Sequence, residues 1–155
     1  MSTGRESLAS IRTSIDVDAP IETVWQILTD LDGHAEWNPF IVRAEGSVVE
    51  GSTIAVTLQP EGSKPSRFRP VITEATEPTA LEWLGSVGIR GIFDGRHRFD
   101  LESEGSGTRV VQSESFTGLL APIVVPMIRK RTESGFNAMN EALRTRAEQS
   151  TGRRA

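Results

Sequence analysis

Two histidines, His34 and His97, no cysteine and no tyrosine bound the chemistry open to this 155-residue chain. His97 lies in the most informative segment. Residues 93–101 and 110–116 are two alternating runs separated by a loop rich in Gly and Ser, which predicts two antiparallel strands. If His97, Phe99 and Leu101 face inward, Arg96, Arg98 and Asp100 face out. Pairing Leu101 with Val110 then sets Phe99 opposite Gln112 and His97 opposite Glu114, with Cβ atoms about 4.5–5.5 Å apart. A desolvated imidazole and carboxyl at that spacing can hold a His tautomer or act as an acid/base couple. The alternatives are that the two merely satisfy one another or lie near a solvated mouth. A slip of one residue would turn the opposite set of side chains inward.

Other residues could form the walls of a small-molecule site, which is typically apolar with a few placed polar groups. Trp37, Trp83, Phe99, Phe116 and Met139 are the candidates, with Gln112 as a polar group to orient a ligand. Ordinary core packing accounts for the rings equally well, and is the reading preferred for Trp25. Arg67 and Arg69 flank Phe68 and could meet a ligand anion, although a solvated outer face accounts for them more simply. Arg129, Lys130 and Arg131 begin the last helix, where cations gain nothing from the helix dipole. The histidines have no metal-ligand spacing, so neither a metal nor a cofactor is expected. Gly-x-Ser-x-Gly and phosphate-loop motifs are missing.

Elements that must position these residues are legible from the start of the chain. Ile11, Thr13, Ile15 and Val17 alternate with polar residues as a half-buried strand. Asp18 is a candidate N-cap, Pro20 suits a first helical turn, and Ile21, Val24, Trp25 and Leu28 follow at helical spacing. A second short helix is expected from Asp30 towards Trp37, ending at Asn38-Pro39. Six strands should follow: Phe40–Val48, Thr53–Leu58, Arg67–Ala75, Leu81–Gly85, Phe93–Leu101 and Val110–Phe116. Pro122 and Pro126 mark the start of a long helix with its stripe on Ile128, Thr132, Phe136, Met139 and Leu143. Gly135 interrupts it at a cost of about 1 kcal/mol relative to Ala, which calls for close packing or room for a ligand. A seven-stranded antiparallel sheet with one amphipathic helix must curl around that helix to bury both apolar faces. The domain is expected to span 10–147, with flexible termini at 1–9 and 148–155.

Several of these segments resemble the START-like (SRPBCC) superfamily, most closely its polyketide cyclase/dehydrase-like branch. They are Ile15-Asp16-Val17-Asp18-Ala19-Pro20-Ile21-Glu22-Thr23-Val24-Trp25, Trp37-Asn38-Pro39-Phe40, Gly95-Arg96-His97-Arg98-Phe99 and Phe116-Thr117-Gly118-Leu119-Leu120. The resemblance covers roughly residues 10 to 147. It implies an α+β helix-grip fold: a seven-stranded curved antiparallel sheet around a long C-terminal helix, with two short helices between strands 1 and 2. That superfamily includes lipid carriers, hormone receptors and aromatic polyketide cyclases, so fold alone leaves function open.

Three functions remain. The first is binding of a small hydrophobic molecule (lipid, isoprenoid or aromatic polyketide-like), oriented by His97, Glu114 and Gln112. The second is a cyclase, dehydratase or isomerase moving protons through His97 and Glu114. The third is a protein-interaction domain, for which the apolar run Leu119–Ile128 is the only candidate surface; it would serve equally as a lid or a homodimer contact. A net charge of −4 argues against a nucleic-acid backbone as partner. The residues from Met1 to Ser10 contain no apolar signal-peptide core, and no apolar run spans a bilayer. With no cysteine the chain fits a reducing cytosol, and a cytoplasmic location is expected.

Overall fold

The computed structural model describes residues 9–152. The remaining terminal residues, on which part of the expectation of flexible ends rests, lie outside the described segment. Strand β1 (Ser10–Val17) leads into helix α1 (Ile21–Thr29) and the four-residue helix α2 (His34–Trp37). Strands β2 (Ile41–Glu45), β3 (Ala55–Leu58), β4 (Ser66–Phe68), β5 (Val71–Thr76), β6 (Ala80–Ser86), β7 (Asp94–Glu104) and β8 (Gly107–Thr117) follow. Helix α3 (Ala121–Gly152) ends the described chain. Among the described residues no helix is long and apolar enough to cross a membrane.

A large antiparallel sheet and a long C-terminal helix define the α+β fold. The single seven-stranded sheet is corrected to two: five strands in the order β1-β8-β7-β6-β5, and three in the order β2-β3-β4. The break falls in the expected strand Arg67–Ala75, which divides at Arg69-Pro70. Proline has no N–H to give a ladder and is tolerated in sheets only at edges and irregularities. The Pro70 carbonyl still accepts from Ile54 N at 2.9 Å, Ile72 N donates to Ser52 O at 2.9 Å, and Thr53 bridges Val71. The sheets are therefore stitched together at one short crossing, where the chain bends.

Helix starts also differ from expectation. Asp18 caps nothing; Pro20 is the residue preceding α1, with its carbonyl accepting from Thr23 N and Val24 N. The second helix is confined to His34–Trp37 because a tight turn precedes it. His34 is buried and spent on structure: Nε2 donates to Leu28 O at 2.8 Å, and Nδ1 accepts from Asn38 Nδ2 at 3.0 Å. Burial lowers its pKa, consistent with a neutral ring. The Asn38 side-chain oxygen Oδ1 accepts from Phe40 N and Ile41 N, both at 2.9 Å, and so launches β2.

Helix α3 runs past the expected end of the domain, to Gly152. Its apolar stripe changes role along its length. Phe136, Met139, Leu143 and Ala147 are fully buried in the core. Ile128 and Thr132, which precede Phe136 by two turns and one turn on the same face, are only half-buried. Gly135 lies between the two halves for a visible reason: a Cβ there would meet the Phe40 ring at 2.4 Å.

Candidate functional site

Strand pairing brings the key residues into rows across the five-stranded sheet. One row reads Ile72, Trp83, His97, Glu114, Ile11, and the next Leu81, Phe99, Gln112, Thr13. The hairpin register is the one assumed for the two strands: Leu101 pairs with Val110, Phe99 with Gln112 and His97 with Glu114. On the next row towards the cavity, Gly85 pairs with Gly95 and Gly95 with Phe116. Two adjacent glycines leave space above the sheet that side chains would fill. At Gly95 the Glu114 carboxyl uses it, since a Cβ there would lie 2.5 Å from Glu114 Oε1.

Above these rows lies a cavity of about 210 Å³. Trp83, His97, Glu114 and Phe116 line it from the large sheet, and Val56, Leu58 and Phe68 from the small one. Phe40 and Phe93 add aromatic wall, while α3 contributes Ile128, Arg131 and Thr132.

Of the residues singled out from sequence, Trp83, Phe116, His97 and Glu114 meet at this cavity. Four do not line it. Trp37 is half-buried with its ring 4.9 Å from that of His34, because α2 ends before the cavity wall begins. Phe99 and Met139 are fully buried core, one row deeper in the sheet and on the core-facing half of α3 respectively. Gln112 lies beneath His97, in the same deeper row as Phe99. Arg67 and Arg69 are exposed, and neither lines the cavity. Phe40, Phe68, Ile128 and Arg131 are absent from the sequence-based candidates for the wall, although Phe68 between two outward arginines and Ile128 on the helix stripe carry a readable signal.

Gln112 determines the state of His97. Its amide nitrogen donates to Phe136 O at 3.4 Å and to Asn140 Oδ1 at 2.8 Å. A carbonyl can only accept, so the amide orientation follows, and Gln112 Oε1 must accept from His97 Nε2 at 2.9 Å. Asn140 Nδ2 continues to Thr13 Oγ1 at 2.9 Å, and that hydroxyl donates to the Gln112 backbone carbonyl at 3.3 Å. His97 therefore carries its proton on Nε2 and presents the Nδ1 lone pair to Glu114. The rings of Trp83, Phe99 and Phe136 surround it, with centroids 5.1, 4.8 and 4.9 Å from that of the imidazole.

The environment keeps the pair uncharged. Burial lowers the His97 pKa to about 4, although the Gln112 hydrogen bond works the other way. Burial raises the Glu114 pKa to about 8. The Glu114 side chain is 17% exposed, and that surface belongs to the cavity rather than to an outer face. Its Oε2 is 3.8 Å from His97 Nδ1, longer than a hydrogen bond. Near neutrality the site thus offers a protonated carboxyl facing an unprotonated ring nitrogen. Such a carboxyl can donate to a ligand carbonyl or hydroxyl, or pass its proton on. Among the described residues no group of three or more His, Cys, Asp or Glu could hold a metal ion.

A large antiparallel sheet and one long helix, with an apolar cavity between them, make the helix-grip arrangement. The chain matches the family described as polyketide cyclase / dehydrase and lipid transport over residues 9–148, and it belongs to that family. Solved structures agree on the fold. A START superfamily protein from Mycobacterium smegmatis superposes with a TM-score of 0.72 at 20% identity, covering 90% of this chain and 97% of that one. The ZhuI aromatase/cyclase from Streptomyces sp. R1128 gives 0.73 at 16% identity, over 92% and 94%. Protein TTHA0849 from Thermus thermophilus gives 0.71 at 20% identity, over 91% and 98%. No protein of curated function matches the chain in sequence.

Proposed function

We propose that this protein binds a small, predominantly apolar molecule in the cavity between its sheets and α3, with Glu114 as the polar anchor. The observation that carries the reading is the Glu114 carboxyl: it faces an otherwise largely apolar cavity, is held neutral by burial, and has no side-chain hydrogen-bond partner among the described residues. Aromatic and aliphatic walls would supply affinity at about 25 cal/mol per Å² of apolar surface removed from water. A ligand carbonyl, phenol or alcohol would satisfy the carboxyl. Lipids, isoprenoids and aromatic polyketide-like compounds all fit that description.

Native mass spectrometry of the purified protein, followed by extraction and identification of any adduct, tests the proposal. A stoichiometric apolar adduct that disappears in Phe116→Asp supports it. A bare mass, together with no quenching of tryptophan fluorescence by a panel of apolar probes, overturns it.

A second reading has its own support. The Nδ1 lone pair of His97 faces the Glu114 carboxyl, an arrangement suited to proton transfer in a cyclase, dehydratase or isomerase acting on an enolisable substrate. Under that reading Glu114→Gln would abolish turnover while retaining ligand binding; under simple binding it would alter affinity alone.

A further inference from the structure

Eight large hydrophobic side chains are exposed among the described residues, and six of them come from two segments at one end of the molecule. Val87 and Ile89 belong to the β6–β7 loop; Leu119, Leu120, Ile123 and Met127 belong to the approach to α3 and its first turns. Scattered exposed apolar residues need no explanation, but a cluster marks a contact surface. Ile89, Leu119 and Met127 are 78%, 77% and 77% exposed. Hydrogen bonds from Leu119 N to Gly91 O (3.1 Å) and from Leu120 N to Ile92 O (2.9 Å) fasten the loop to the start of the helix. Ile123, Met127 and Arg131 follow at steps of four, so they share one helix face.

Charge at this end runs opposite to that of the whole chain. Arg90, Arg129, Lys130 and Arg131 gather here against three nearby carboxylates: Asp94, which is buried and accepts from Gly91 N, Glu133, and Glu61 beside Met127 and Lys130. Cations therefore outnumber exposed carboxylates four to two, in a protein whose net charge is −4. Arg129 is occupied with the Ser10 carbonyl; Arg90, Lys130 and Arg131 are exposed. The cavity reaches the same end, since Val87, Ile128 and Arg131 are among its lining residues.

We infer that this end docks on the surface of an anionic phospholipid bilayer. Apolar side chains would enter the boundary between headgroups and acyl chains, while the cations meet lipid phosphates. Pairing with a second copy through the same face is disfavoured, because a two-fold contact would bring Arg90, Lys130 and Arg131 towards their own equivalents. As a route for loading an apolar ligand, the inference rests on the binding function proposed above; the docking itself does not.

The test is co-sedimentation of the full chain with phosphatidylcholine vesicles, with and without phosphatidylglycerol, at low and high salt. Binding is expected to anionic vesicles only and to weaken as salt rises. Arg90→Ala and Lys130→Ala should each reduce the partition coefficient about fivefold, equivalent to about 1 kcal/mol. The exposed pair Ile89→Ser with Leu119→Ser should abolish binding while leaving the circular dichroism spectrum unchanged. Absence of binding to anionic vesicles, binding unchanged in Ile89→Ser/Leu119→Ser, or a stable dimer dissociated by those same substitutions would overturn the inference. Vesicle binding by protein that takes up no apolar probe would leave the docking intact and count against the ligand-binding function alone.

Discussion

His97 and Glu114 pair across the β7–β8 ladder with Nδ1 and Oε2 3.8 Å apart, each held in its neutral form by burial. Their pKa values are displaced in opposite directions, and the pH dependence of stability follows from the signs. The folded state binds the Glu114 proton more tightly than the unfolded chain, so its contribution is complete at low pH and declines as pH rises towards 8. His97 does the reverse, costing stability as pH falls from 6.5 towards 4. Between about 4.5 and 6.5 the two slopes oppose one another; above that, Glu114 acts alone. Urea unfolding should show stability falling between about pH 6.5 and 8 by up to about 1.4 kcal/mol per pH unit, and Glu114→Gln should remove that fall.

Gln112 connects the site to α3, and its loss would be felt on both sides. Gln112→Leu leaves the His97 Nε2–H and the Asn140 side-chain oxygen without their partner, while the Phe136 carbonyl, inside α3, loses only an additional long contact. Buried groups left in that state cost about 1–3 kcal/mol each. A fall in the urea midpoint of the corresponding size is expected, and NMR of the His97 ring should show the Nε2 tautomer no longer enforced.

Gly135 allows Phe40 to stand against α3. Gly135→Ala would drive the added methyl into the ring and push the ring into the cavity it lines. Overpacking of this kind costs about 1–3 kcal/mol. The expected result is a lower melting temperature together with weaker uptake of an apolar probe. Gly135→Ala combined with Phe40→Leu should recover much of both.

Asn38 supports the turn from α2 into β2 through two backbone N–H groups. Asn38→Ala should destabilise the protein by about 1–3 kcal/mol, read by urea denaturation. Retained probe affinity in the surviving folded fraction would place its role in the framework rather than in the cavity.

Much of this architecture is legible in the sequence, and the exceptions have physical causes. Period-two alternation in β7 and β8 indicates the inward faces, because Phe99 and Leu101 cannot turn outward without exposing large apolar area. The register depends instead on the length of the connecting turn, since a shift of two residues keeps the same faces. Pro70 is visible, but the residues on either side continue an extended pattern through it; the chain bends there where a neighbouring stretch crosses from one sheet to the other. Trp37 and Phe40 show the limit at the site. Both are aromatic, three residues apart, yet only Phe40 reaches the cavity, because Asn38 reverses the chain between them. Phe99 and Met139 have the right character for a wall, but depth within the layers is decided by elements distant in sequence. The same is true of Arg131, whose place at the cavity depends on where α3 crosses the sheets.

The division of α3 has a consequence for how this chain tolerates change. Its second half, around Phe136, Met139 and Leu143, anchors the framework, and substitutions there act on folding. Between Val125, itself buried, and Phe136, the stretch 128–132 presents Ile128, Arg131 and Thr132 to the cavity and contributes no fully buried side chain to the core. One continuous helix therefore joins a mutationally rigid segment to a permissive one. Residues 128–132 form a short window in which ligand preference can be rewritten while the fold that presents it is left in place.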